Sequence, residues 1–196
     1  MEQIVQLNSN AKLSDHFTLG EMTKSSSHPE VYNIPSHEAI ANLKRVCGWL
    51  EVLRKRYNER YNACHLEHHP SVMSSGVETS HEISPRAALG RDDRRGDGRD
   101  DKEKPIIINS GYRSPQLNKK IGGVPTSNHL TGCAVDIRVE DMEQLIRYAA
   151  ILLEYADETN QQFDELLIER NRYGAIWLHF AVRARDNRRK VALIIT

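Results

Sequence analysis

The stretch Ser127-Asn128-His129-Leu130-Thr131-Gly132-Cys133-Ala134-Val135-Asp136 places a histidine and an aspartate seven positions apart, on either side of a Thr-Gly turn. The apolar, mostly β-branched run that begins in this stretch and extends to residue 139 is typical of a buried strand. A loop that leads into a strand in this way lets His129 and Asp136 point toward one place. Because imidazole nitrogen and carboxylate oxygen are both ordinary zinc ligands, the stretch predicts two ligands of a metal site beside a strand.

A third candidate ligand lies near the C-terminus, in the apolar run Ile176-Trp177-Leu178-His179-Phe180-Ala181-Val182. A catalytic zinc typically has three protein ligands and keeps a fourth position for water. A single histidine in an apolar strand is, however, more often a packed or surface residue than a ligand. The strand pattern alone therefore leaves both interpretations of His179 open.

Three motifs resemble those of a known family. The stretch around His129 reads S-x-H-x-x-G-x-A-x-D, which is similar to the signature of the zinc D-alanyl-D-alanine carboxypeptidase family. Trp177-Leu178-His179 resembles the family's W-x-H motif, and Ser110-Gly111-Tyr112-Arg113-Ser114 resembles its S-G-Y-R-S motif. The resemblance extends from about residue 105 to the C-terminus. The family includes phage L-alanyl-D-glutamate endolysins, and the hedgehog signalling domain shares its zinc site.

The resemblance implies a site composition. It implies one zinc ion per chain, held by His129, Asp136 and His179, that activates water and polarises the carbonyl of an amide. It implies that Arg113 binds a substrate carbonyl or carboxylate and stabilises the oxyanion of the intermediate. It also implies three substrate-binding residues, Ser127, Tyr112 and Trp177.

The general base is less clearly marked. Many family members carry an acidic residue three positions before the last histidine, where this chain has Ile176, which cannot transfer a proton. Relatives such as the hedgehog domain use a glutamate further upstream. Glu169 ends an apolar strand from which it could return across a hairpin to the metal, so Glu169 is the predicted catalytic base. Asp164 and Glu165 are its rivals.

These motifs predict a zinc metallopeptidase that hydrolyses peptidoglycan stem peptides, as a D,D-carboxypeptidase or as an L-alanyl-D-glutamate endopeptidase of the endolysin type. The alternative is a zinc-containing module without catalytic activity that binds peptidoglycan or another partner. Ile176 favours this alternative because it replaces the commoner base. The predicted partners are peptidoglycan peptides, and the protein is predicted to be a monomer.

Composition argues against other classes of function. The 196 residues include 27 basic and 27 acidic side chains, and this zero net charge does not indicate a nucleic-acid-binding face. No apolar run is long enough to span a membrane, and the first eight residues lack the features of a signal peptide. We expect accumulation in the cytoplasm and action at the cell wall, as in phage lysis, or secretion if a signal was trimmed.

The remaining sequence alternates between helical and strand patterns. Apolar residues at helical spacing after Ser36 predict an amphipathic helix, and a second long helix follows a cap at Glu140 or Asp141. Short strands are predicted at about residues 105–111, 134–139, 163–169, 176–182 and 190–195. This order predicts an α+β fold with a mostly antiparallel sheet and a few covering helices, like the hedgehog and D,D-peptidase domains.

Residues 63–104 differ from the rest of the chain. They are rich in histidine, serine and charged residues and have almost no apolar periodicity. Such a segment cannot bury enough surface to offset its loss of conformational entropy on folding. We therefore predict a single domain over residues 1–196, with a disordered insertion at about 63–104 that could be deleted without loss of the fold.

Overall fold

The computed structural model describes residues 9–62 and 103–195. The predicted insertion at about 63–104 therefore lies almost entirely outside the described residues. Within the described ranges, one five-stranded sheet carries the site, and two long helices pack on one of its faces. No helix in these two ranges combines the length and the hydropathy needed to cross a membrane.

Four α-helices and five strands are present in the described ranges. The helices are α1 (Leu19–Thr23), α2 (His37–Tyr57), α3 (Pro115–Lys120) and α4 (Met142–Thr159). A π-helical turn (Asn58–Asn62) follows α2, and a 3₁₀ helix (Asn128–Thr131) precedes β2. The strands are β1 (Ile108–Ser110), β2 (Ala134–Arg138), β3 (Glu165–Arg170), β4 (Ile176–Ala181) and β5 (Lys190–Ile195).

The long helices begin where side chains cap them. Ser36 accepts a hydrogen bond from Ala39 N at 3.1 Å and so satisfies one of the free N–H groups at the start of α2. Of the two predicted caps for α4, Asp141 is the one that acts, because its Oδ1 accepts from Gln144 N at 2.8 Å. These local bonds explain why both helix starts could be read from the sequence.

The strand order in the sheet is β1-β2-β4-β3-β5. All neighbouring strands are antiparallel except β3 and β5, which are parallel. This arrangement confirms the predicted α+β fold with a mostly antiparallel sheet. It makes β2 and β4 direct neighbours and places Asp136 opposite His179, so two of the predicted ligands meet across one strand pair.

The two faces of the sheet differ in chemistry. One face packs against α2 and α4 and carries apolar residues that are at most 1% exposed: Val135, Ile137, Leu166, Leu178 and Phe180. By the alternation of side chains along a strand, the other face carries most of the polar residues of the central strands, together with a tryptophan and a few smaller apolar residues. This second face, here called the site face, includes Asp136, Arg138, Glu165, Glu169, Trp177 and His179.

Candidate metal centre

Three predicted ligands lie together on the site face. His129, Asp136 and His179 each offer one ligand atom, and these atoms all lie within 4.8 Å of one another. The three residues are 2%, 7% and 7% exposed, so the cluster is buried. Two imidazoles and a carboxylate at this spacing could hold a metal ion.

The 3₁₀ helix fixes the direction of His129. Its Nδ1 lies 2.6 Å from Gly111 O, so Nδ1 carries the proton that this bond needs and Nε2 is left to face Asp136. The helix ends at Gly132, whose φ of +71° is left-handed, and a Cβ there would lie 2.5 Å from Ala39 O. Glycine therefore lets this short helix pack directly on the backbone of α2.

Asp136 divides its two oxygens between the cluster and an arginine. Oδ1 lies 3.3 Å from His129 Nε2 and 2.9 Å from His179 Nδ1. Oδ2 accepts a hydrogen bond from Arg113 Nη2, and Arg113 Nε donates to Ser110 Oγ at 2.8 Å. The predicted oxyanion-binding residue thus lies beside the cluster and orients one of its members.

His179 contacts carboxylates through both ring nitrogens. Nδ1 faces Asp136, while Nε2 lies 3.6 Å from Glu165 Oε2. Glu165 is itself fixed, because Asn128 Nδ2 donates to Oε2 and Arg188 Nη2 pairs with Oε1, each at 2.9 Å. His179, together with Arg188, holds the pKa of Glu165 at about 2. Both oxygens of Glu165 are therefore already engaged by neighbouring side chains.

The charges of the cluster suit a cation. Burial alone would raise the pKa of Asp136, but His129 and His179 hold that pKa far below its ordinary value. Burial opposes protonation of His179, yet hydrogen bonds to Asp136 and Glu165 raise the pKa of its imidazole to about 9. The buried Asp136 carboxylate thus favours a neighbouring positive charge, which a bound cation could supply. Two imidazoles and one carboxylate are a donor set that zinc accepts.

Glu169 lies on the site face one step from the cluster. It is opposite Trp177, which precedes His179 by two residues on β4. Its carboxylate is close enough to interact electrostatically with the three cluster residues, and burial raises its pKa above the ordinary value despite the opposing effect of His179. A half-buried carboxylate with a raised pKa has the properties expected of a general base.

Asp164, the other rival base, is bound by side chains of neighbouring residues. It is fully buried and accepts from Arg188 Nε at 2.8 Å, Arg188 Nη2 at 2.7 Å and Asn128 Nδ2 at 2.7 Å. Arg183 Nε lies 3.0 Å from its Oδ2. Because Asn128 immediately precedes His129, this buried network fixes the residue next to a candidate metal ligand. The sequence analysis missed Asn128 and Arg188, which carry no local pattern.

The three residues predicted to bind substrate have different surroundings. Ser127 caps the 3₁₀ helix by accepting from His129 N at 3.3 Å. Tyr112 packs in the core with 8% exposure, and its N donates to Met22 O at 2.7 Å. Trp177 lies on the site face opposite Glu169, and its indole interacts with the Glu169 carboxylate and opposes the rise of the pKa of that group. A role in substrate binding stays a prediction for all three.

Asn33 is a supporting residue that the sequence analysis also missed. Its Nδ2 donates to Thr23 O and Tyr112 O, both at 2.8 Å, and its Oδ1 accepts from Ser114 N at 2.6 Å. The residues on either side of Arg113 are therefore fixed by one amide side chain. A single asparagine in a loop gives no signal in the sequence, because its partners lie up to 81 positions away.

Comparison with models of known protein families identifies a family for this chain. The family model described as Peptidase M15 matches residues 68–188, more than half of the 196-residue chain. The matched range contains His129, Asp136 and His179. No curated protein sequence matches the chain significantly.

Proposed function

Because the chain belongs to the peptidase M15 family, we propose that it is a zinc peptidase that cleaves amide bonds in peptidoglycan stem peptides. The family membership confirms the resemblance carried by the three sequence motifs. The observation that carries the proposal is the convergence of His129, Asp136 and His179 on one face of the sheet, with Glu169 one step away. Ligands and a proton acceptor together are what metal-assisted amide hydrolysis requires.

A zinc ion in this cluster would supply a Lewis acid that activates water and polarises the amide carbonyl. Arg113 would bind the developing oxyanion, because a guanidinium has five N–H donors and only part of this set is used by Asp136 and Ser110. Glu165 would orient the His179 ring through Nε2, as carboxylates do for many metal-binding histidines.

Glu169 would take a proton from the attacking water and pass it to the leaving amine. Its raised pKa favours this role, since an efficient general base has a pKa near the working pH. Glu165 and Asp164 are weaker candidates because arginines and Asn128 already occupy their oxygens. Glu169 also weakens the case for a module without catalytic activity, since that case depended on the missing acid at Ile176.

Metal analysis combined with digestion of purified muropeptides tests the proposal. Wild-type protein should carry about one zinc per chain, and His129→Ala and His179→Ala should each lose it. Full retention of zinc in both variants would show that the site is wrongly assigned. Wild-type protein loaded with zinc should release peptide fragments, and mass spectrometry of these fragments identifies the bond that is cleaved.

The base is tested by Glu169→Gln, which keeps the shape of the side chain and removes its basicity. Zinc content should stay near wild type while hydrolysis falls by roughly 10²-fold or more, the usual scale for loss of acid–base assistance. Glu140→Gln, on an exposed glutamate after β2, is the matched control and should keep full activity. If Glu169→Gln keeps full activity and Glu165→Gln loses it, the base has been assigned to the wrong carboxylate.

A further inference from the structure

Arg138 ends β2 on the site face, two residues after Asp136. It lies opposite Trp177 on β4, which in turn lies opposite Glu169 on β3. These three residues form a row across the sheet, next to the row that contains Asp136 and His179. Two residues of a strand span about 6.5 Å, so the arginine side chain is long enough to reach the space in front of the candidate metal centre.

Arg138 differs from the other cations of this region in having no acidic partner. Its side chain is exposed, and within residues 9–62 and 103–195 it makes neither an ion pair nor a side-chain hydrogen bond. By contrast, Arg113 is paired with Asp136, and both Arg188 and Lys190 are paired with Glu165. An unpaired guanidinium beside a buried catalytic cluster is available to a substrate anion.

The row also indicates which part of the substrate would meet Arg138. If Glu169 donates a proton to the leaving amine, the residue that carries this amine lies next to Glu169, and the row continues from there through Trp177 to Arg138. Both candidate bonds release a residue with a free α-carboxylate: the terminal D-alanine in one case, and in the other a D-glutamate linked onward through its side chain. A planar guanidinium binds a carboxylate with two parallel hydrogen bonds.

We propose that Arg138 binds the α-carboxylate of the substrate residue on the leaving side of the scissile bond. The proposal rests on the proposed peptidase function and adds a selection for substrates with a free rather than an amidated carboxylate. Arg113 then serves mainly Asp136 and the oxyanion, and the two arginines have separate roles.

The test compares two synthetic stem peptides that differ only in this group, one with the free α-carboxylate and one with the α-amide. Arg138→Ala should raise KM for the carboxylate peptide by about 10- to 100-fold, the scale of one charge-assisted interaction, and leave kcat within about threefold. KM for the amide peptide should not change. Arg138→Lys should lie between the two proteins, because lysine keeps the charge and loses the bidentate geometry.

Arg170→Ala is the matched control. Arg170 also ends a strand and is exposed. Because side chains alternate along β3, however, Arg170 lies on the other face of the sheet from Glu169. This variant should match wild type on both peptides. An unchanged KM in Arg138→Ala, or an equal rise for both peptides, would overturn the proposal.

Direct binding separates failure of this inference from failure of the proposed function. If wild-type protein loaded with zinc hydrolyses neither peptide, the peptidase proposal fails, and calorimetric titration of the same two peptides still tests Arg138. A preference for the carboxylate peptide that Arg138→Ala abolishes would support carboxylate recognition. Equal binding of the two peptides by wild-type protein, or no binding of either, would refute it.

Discussion

Substitution of Asp164 by asparagine should destabilise the protein strongly while leaving His129, Asp136 and His179 in place. Asp164 is 0% exposed and accepts two hydrogen bonds from the guanidinium of Arg188, with a further contact to Arg183. Hydrogen bonds to charged groups contribute about 1.5–3 kcal/mol each. The side chains of Arg188 and Arg183 are 48% and 33% exposed, so both can turn to water in the variant and the lower values apply.

We therefore expect Asp164→Asn to lower the free energy of unfolding by about 3 kcal/mol, which in a chain of this size corresponds to a fall in Tm of about 6–12 °C. Urea and thermal unfolding followed by circular dichroism measure both quantities. Asp157→Asn is the control, because Asp157 pairs with Arg189 from the same turn but is 67% exposed. An exposed pair of this kind contributes less than about 1 kcal/mol.

The effect of Asp164→Asn should also depend on pH. Burial alone would raise the pKa of Asp164, but its bonds to Arg188 and Asn128 hold the pKa below the ordinary value. A carboxylate with a depressed folded pKa stabilises the fold above its unfolded pKa of about 3.9 and loses this contribution as pH falls through the folded pKa. The difference between wild type and variant should therefore shrink between about pH 5 and pH 3. A difference below 1 kcal/mol at pH 7, or one that does not shrink in acid, would refute the reasoning.

Three further substitutions test individual hydrogen bonds and close contacts of the fold. Glu51→Ala removes the acceptor for Ser14 Oγ and His16 N and should lower the free energy of unfolding by about 1–2 kcal/mol, with faster proteolysis of the segment before α1. An unchanged rate of proteolysis would contradict this role of Glu51. Asn33→Ala breaks three hydrogen bonds and should cost about 2–3 kcal/mol in urea unfolding; a cost under 0.5 kcal/mol would contradict its role. Gly132→Ala should cost more than about 2 kcal/mol, because its left-handed φ disfavours a side chain and the new Cβ meets Ala39 O; wild-type urea stability would disprove this.

The helices and most strands could be predicted because their signals are local. Ser36 and Asp141 precede long apolar periodicities, and both cap the helices that follow them. β1 is shorter than the predicted strand at residues 105–111, since the register with β2 shifts between Ile108 and Ser110. The strand order and the parallel pairing of β3 with β5 had no local signal, because packing of the whole sheet decides which edges meet.

The site was predictable to the extent that motifs mark it. The motif residues His129, Asp136 and His179 do lie together, and Glu169 lies on the same face of the sheet, where its role as the base stays a prediction. The supporting contacts could not be predicted, because they join residues distant in sequence. The amide of Asn128, for example, meets Asp164 at a separation of 36 residues. Such contacts follow no periodicity and exist only once the sheet has formed.

The three candidate ligands lie on elements that differ in their stability against local unfolding. Asp136 and His179 lie on β2 and β4, each of which has a strand on both sides, so amide hydrogen exchange there should require near-global unfolding. His129 lies on four residues of 3₁₀ helix, with no strand pairing of its own. A local opening that lifts this helix from Gly111 and α2 would remove one ligand and leave the other two in register. We therefore expect a bound ion to dissociate through the His129 side, at a rate set by this small opening rather than by unfolding of the domain.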